Sequence, residues 1–154
     1  MIETIDLPAL TVVGLLVEAH WNELPKAVPA AWTRLFDSGL VPESGSMRDG
    51  FVAVSISREK GFYRELIGVV AGPDTPVPQR MMRLEIPANR YLSIIHDGPL
   101  PGIAQSFGQL YEHATKAGLG TTDFKLDFGY QPGLPAGRHQ LHIGLAPFTA
   151  PKTA

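Results

Sequence analysis

Two carboxylates stand among aromatic residues in this sequence. Asp127 lies within the alternating run Phe124–Tyr130, and Glu65 follows Tyr63 by two positions. A carboxylate facing an apolar cleft loses water, which raises its pKa, and a bound cation restores its charge. Such a group can anchor a cationic ligand. With a second polar group converging on the same atom, it can instead activate water. Each carboxylate has two readings. Asp127 faces a cleft, or it shares a solvated face with Lys125 and Gly129. Glu65 lies on one face with Tyr63 by strand alternation, or it is a solvated strand start beside Arg64.

The aromatic residues divide in the same way. Trp32 and Phe36 share a helix face, which suits a core. The indole N–H needs a partner when buried, so a cleft edge also suits Trp32. A flat ring there can stack on a planar ligand or face a cation, worth roughly 0.5–2 kcal/mol. Tyr91 and Tyr111 admit either role, and Phe107 reads first as core. Trp21, in the loop before the first helix, is a lid over a cleft or a staple at the helix entry.

Other chemistries lack their residues. There is no cysteine, which excludes a disulfide scaffold, a thiol nucleophile and a cysteine zinc site. The five histidines show no His-x-His or HExxH spacing, so no metal is expected. His139 and His142 fall on opposite faces of a strand, and His96 supports the turn at Asp97–Pro99. Neither a G-x-S-x-G elbow nor a P-loop occurs, and no cofactor is expected. A net charge of −2 provides no basic footprint for nucleic acid. The apolar stretch Leu10–Val17 is too short to cross a membrane, and the N-terminus has no basic secretory region. A cytoplasmic protein is expected.

The elements that must position these residues occur twice. Ile5-Asp6-Leu7-Pro8-Ala9 returns as Leu84-Glu85-Ile86-Pro87-Ala88, 79 positions later. Strand-like runs follow at Thr11–Val17 and Tyr91–Ile95. Leu24-Pro25 and Leu100-Pro101 then introduce helical periods. Val28, Trp32, Leu35 and Phe36 match Ile103, Phe107, Leu110 and Tyr111 at an offset of 75. Gly39 and Gly118 stop the helices. Two strands follow in each half: Phe51–Ser57 and Glu65–Ala71, then Phe124–Tyr130 and His139–Pro147. The pattern predicts an α+β fold, a duplicated β-α-β-β unit with pseudo-two-fold symmetry. Its sheet is mostly antiparallel, with two main helices and a ligand cleft between the halves. One domain is expected over residues 1–148, with halves at about 2–72 and 81–147. Residues 149–154 read as a flexible tail.

Ile86-Pro87-Ala88, Tyr91, His96, Gly98-Pro99, Ile103, Phe107 and Tyr111 stand in the order of GyrI-like (gyrase-inhibitor-like) effector-binding domains. Leu7-Pro8-Ala9, Val13-Gly14, Trp32, Phe36 and Gly68-Val69 agree with it. The chain resembles a stand-alone member of that family. The resemblance implies a cleft for hydrophobic, often cationic or planar aromatic compounds, serving drug sensing or sequestration. The family's acceptor is usually a Glu, and Asp127 takes its place here, with Tyr130 one position late. The candidate ligand-binding set is Trp21, Trp32, Phe36, Tyr63, Glu65, Tyr91, Phe107, Tyr111 and Asp127. The resemblance also implies two alternatives. One is a hydrolase of strained cyclopropanes, with Glu65 and Tyr111 as the catalytic pair. The other is a gyrase-modulating interaction protein, for which no residue marks a partner surface.

Overall fold

The structure, a computed structural model, describes residues 1–133 and 136–153. Among the described residues nine strands form one sheet: β1 (Glu3–Leu7), β2 (Leu10–His20), β3 (Phe51–Glu59), β4 (Phe62–Val70), β5 (Met82–Ile86), β6 (Asn89–Pro99), β7 (Thr121–Phe128), β8 (Ala136–Leu145) and β9 (Lys152–Thr153). Helix α1 (Leu24–Asp37) joins β2 to β3, and α2 (Ile103–Lys116) joins β6 to β7. The strand order is β1-β6-β8-β7-β3-β4-β2-β5-β9, and each paired neighbour is antiparallel. Exchanging β1–β4 with β5–β8 reverses the first eight strands onto themselves. The pseudo-two-fold axis therefore passes between β3 and β7. The sequence halves interlock: β1 pairs with β6 of the second half, and β5 pairs with β2 of the first.

This order cannot be laid flat. β1 and β2 occupy the first and seventh places, yet only Pro8 and Ala9 separate them. Six strand spacings would span about 29 Å in a flat sheet. Three Cα steps reach at most about 11 Å. The same constraint holds between β5 and β6, joined by Pro87 and Ala88. The sheet must curl until its ends approach, and its inner face becomes a core. Val12, Leu66 and Leu84 pack there with Tyr91, Phe124 and Phe128.

The helices cover the other face. In α1, Ala31, Trp32 and Leu35 are buried against Val13, Leu15 and Ile67. In α2, Ile103, Leu110 and Ala114 are buried against Leu92, Leu141 and Ile143. Both helices stop at a glycine. Gly39 and Gly118 have φ of +77° and +70°, where a side chain would be strained. After α2, Leu119 N–H donates to the Ala114 carbonyl and Gly118 N–H to that of Thr115, which closes the end.

Three strands go beyond the sequence-based expectation. The short β1 and β5 belong to the sheet rather than preceding it. The third falls in the segment expected as a flexible tail. Lys152 and Thr153 pair with Glu85 and Leu84, Asn89 holds the backbone of Thr149 from both amide atoms, and Phe148 packs on the inner core. A run without hydrophobic periodicity gave no sign that a curled edge would take it up.

Candidate functional site

A cavity of about 1040 Å³ opens between the two helices. α1 packs on β2 and β4, and α2 on β6 and β8, so the seam between β3 and β7 forms the floor. Val28, Trp32 and Phe36 form one wall. Ile103, Phe107 and Tyr111 form the other. These are the residues paired by the helix repeat. One apolar stripe, used twice about the pseudo-axis, makes both sides of the cleft.

Alternation places the floor. Ala53 and Ser55 of β3, Tyr63 and Glu65 of β4, and Lys125 and Asp127 of β7 line the cavity. Asp127 does share a face with Lys125, as the period of two requires. That face is the cleft floor rather than solvent, because the helices stand over both of its sides. A β-bulge between Ser55 and Ser57 then shifts the alternation, which turns Arg58 toward the cleft as well. There it meets Asp123 at 3.3 Å.

Asp127 is 4% exposed, and protein donors engage both of its oxygens. The Tyr130 hydroxyl donates to Oδ2 at 2.8 Å, and His139 Nδ1 lies 2.7 Å from Oδ1. Burial raises its pKa, against the opposing pull of His139 and Tyr130. Tyr130 also stacks on Trp32, with centroids 4.2 Å apart, and Trp32 stacks on Phe36 at 5.3 Å. A run of three rings thus lines the α1 wall, clamped to Asp127 at one end. Trp32 is 7% exposed, and its indole N–H has no hydrogen-bond partner among the described residues.

Glu65 differs. It is half-buried on the floor, and among the described residues no donor is bonded to its carboxylate. Burial raises its pKa first, and Asp127 adds to this while Lys125 opposes it. Lys125 Nζ donates to the Asp123 carbonyl at 3.1 Å and sits 5.5 Å from the centre of the Tyr111 ring. Burial lowers the Lys125 pKa. The Tyr111 hydroxyl donates to the Thr122 carbonyl at 2.7 Å, and burial pushes its pKa up to about 12.

The structure therefore brings together Trp32, Phe36, Tyr63, Glu65, Phe107, Tyr111 and Asp127, with the exposed Trp21 at the rim. Tyr91 is a correction. It is 1% exposed on the inner face, among Phe124, Phe148 and His142, and does not line the cleft. Both faces of β6 are buried, so apolar character could not tell which side Tyr91 takes. Tyr130 and His139 are additions. Gly129, at φ +124°, breaks the alternation and returns Tyr130 to the cleft side. The sequence signal was the glycine itself.

Residues 1–128 match a family model described as a GyrI-like small-molecule-binding domain. Over 112 residues the chain is 28% identical to the transcriptional regulator BrlR of Pseudomonas aeruginosa. That stretch covers 71% of this chain and 40% of the regulator, so the chain matches less than half of its relative's length. Two solved structures share the fold. SAV2435 bound to tetraphenylphosphonium superposes with a TM-score of 0.70 at 12% identity, covering 96% of this chain and 94% of that one. A putative transcription regulation protein of Staphylococcus aureus superposes at 0.69 and 15% identity, covering 94% and 97%.

Proposed function

The chain belongs to the GyrI-like small-molecule-binding domain family, and we propose that its cleft takes hydrophobic, aromatic, cationic compounds for sensing or sequestration. The observation that carries this reading is Glu65. It is a desolvated carboxylate with no bonded donor among the described residues, set between aromatic walls. An incoming cation replaces lost solvation at that group, while Trp32, Phe36 and Phe107 supply apolar area. Asp127 supports the wall instead of the ligand, since Tyr130 and His139 already engage it. The bound neighbour's ligand, tetraphenylphosphonium, has the chemistry this cleft suits.

The ring-opening alternative draws less support. It needs Glu65 and the Tyr111 hydroxyl to converge on one atom, and that hydroxyl is bonded to Thr122 on the β7 side. Nothing among the described residues favours the gyrase-directed alternative. The binding reading is tested by thermal shift and tryptophan quenching with tetraphenylphosphonium, with the compound recovered for mass spectrometry. We expect a raised melting point, quenching and an intact compound. Absence of both shift and quenching up to millimolar ligand would contradict the reading, and a compound recovered with added water would replace it with the hydrolytic one.

A further inference from the structure

Two charged side chains line the floor of the cleft with no side-chain ion pair among the described residues, and they have opposite sign. Register places them in one row: Glu65 opposite Ser55, and Ser55 opposite Lys125. Their backbones are thus two strand spacings apart, about 10 Å. Glu65 lies on the α1 side and Lys125 on the α2 side, where its ammonium rests near the Tyr111 ring. The other charges at the cleft are engaged: Arg58 with Asp123, and Asp127 with His139 and Tyr130. An ammonium has three donors, and the Asp123 carbonyl accepts one.

A compound carrying only positive charge meets attraction at Glu65 and repulsion at Lys125. From this row we infer that the preferred ligand is zwitterionic: a planar aromatic body whose cation meets Glu65 and whose carboxylate or comparable anion meets Lys125. The inference rests on the binding reading above and names the ligand class for the same cleft. Lys125 then acts as a selectivity device. It disfavours simple lipophilic cations and rewards those that bring a matching anion.

The test uses one rhodamine with a free benzoate and its methyl ester. The two dyes share a cationic xanthene and differ in the anion. Dissociation constants come from fluorescence anisotropy with the full chain at pH 7.5. We expect the free acid to bind at least about fivefold tighter than the ester, equivalent to about 1 kcal/mol. Lys125→Met should bring that ratio to one or below by strengthening the ester and weakening the acid. Lys125→Arg keeps the charge and should keep the acid ahead, which separates charge from any effect on folding. An ester that binds wild type as tightly as the acid, or a ratio unchanged in Lys125→Met, would overturn the inference and leave the binding reading standing. If neither dye nor tetraphenylphosphonium binds, the binding reading fails and takes this inference with it.

Discussion

At the scale of single residues, the cleft separates two carboxylates that look alike in sequence. Among the described residues Glu65 has no bonded donor, and Asp127 is held by its neighbours. The folded pKa of Glu65 lies above its unfolded value, so the folded state binds more protons within that window. Stability therefore falls as pH rises through the raised pKa, and the ionised group costs stability at neutral pH. Glu65→Gln should raise the melting temperature at pH 7.5 while weakening binding of an aromatic cation. In wild type the same affinity should fall as pH drops through the raised pKa. Asp127→Ala should act oppositely on stability, lowering it by about 2 kcal/mol or more, because Tyr130 and His139 lose their acceptor in a buried site. Differential scanning fluorimetry separates the two variants. His142 adds an acid limb. Among the described residues neither ring nitrogen meets a partner at hydrogen-bonding geometry, and burial lowers its pKa to about 4 against a smaller opposing pull from the Leu126 backbone. The unfolded chain takes up that proton near pH 6.5, so stability is lost as pH falls from there toward 4. The loss approaches about 3 kcal/mol. His142→Leu should flatten that limb relative to wild type in urea melts at stepped pH, and a limb unchanged by the substitution would contradict the assignment. Glu65 was visible in the sequence because alternation with Tyr63 is a local rule. The engagement of Asp127 was not, since it depends on the Gly129 turn and on His139 from another strand.

At the scale of elements, the helices were the most legible part. Their stripe repeats at a fixed offset, each follows a Leu-Pro pair, and each ends on a glycine. A period of 3.6 with clear stops has few competing interpretations. The strands were legible in position and less so in facing. On β6 both Tyr91 and Leu92 are buried, one toward the inner core and the other under α2. Two buried faces erase the alternation that would have told them apart. The β2–β4 pair carries a closer constraint. Gly14 lies opposite Gly68, and a Cβ on either would overlap the other strand's backbone at Ile67 or Val13. Gly14→Ala should lower stability by about 1–3 kcal/mol. Gly137→Ala, where a Cβ meets nothing within 4 Å among the described residues, should leave it within about 0.5 kcal/mol. Equal melting temperatures for the two variants would show that the strands do not approach so closely.

At the scale of the whole molecule, the short connections dictate the shape. Two-residue links between β1 and β2 and between β5 and β6 force the sheet to curl, and the curl creates the inner core. The repeat made the duplicated unit and the central cleft legible. It did not show the interlocking of β1 and β5, because strand exchange leaves no local pattern. Nor did it show that Phe148 and β9 close the inner side. Phe148→Ala should therefore destabilise by roughly 2 kcal/mol, below the range for a fully buried phenylalanine. Since Phe148 lies on the opposite face from the cleft, ligand affinity per folded molecule should be unchanged.

These scales meet in one claim: a ligand's positive charge sits on Glu65 between the helices, and Asp127 serves the wall. Isothermal titration of tetraphenylphosphonium into wild type, Glu65→Gln and Asp127→Asn at pH 7.5 tests it most directly. The account predicts at least about a tenfold loss for Glu65→Gln, equivalent to about 1.4 kcal/mol. For Asp127→Asn it predicts a change of less than about threefold, since Asn retains an acceptor for Tyr130 or His139. Full affinity in Glu65→Gln with loss in Asp127→Asn would contradict the account and return the anchoring role to Asp127.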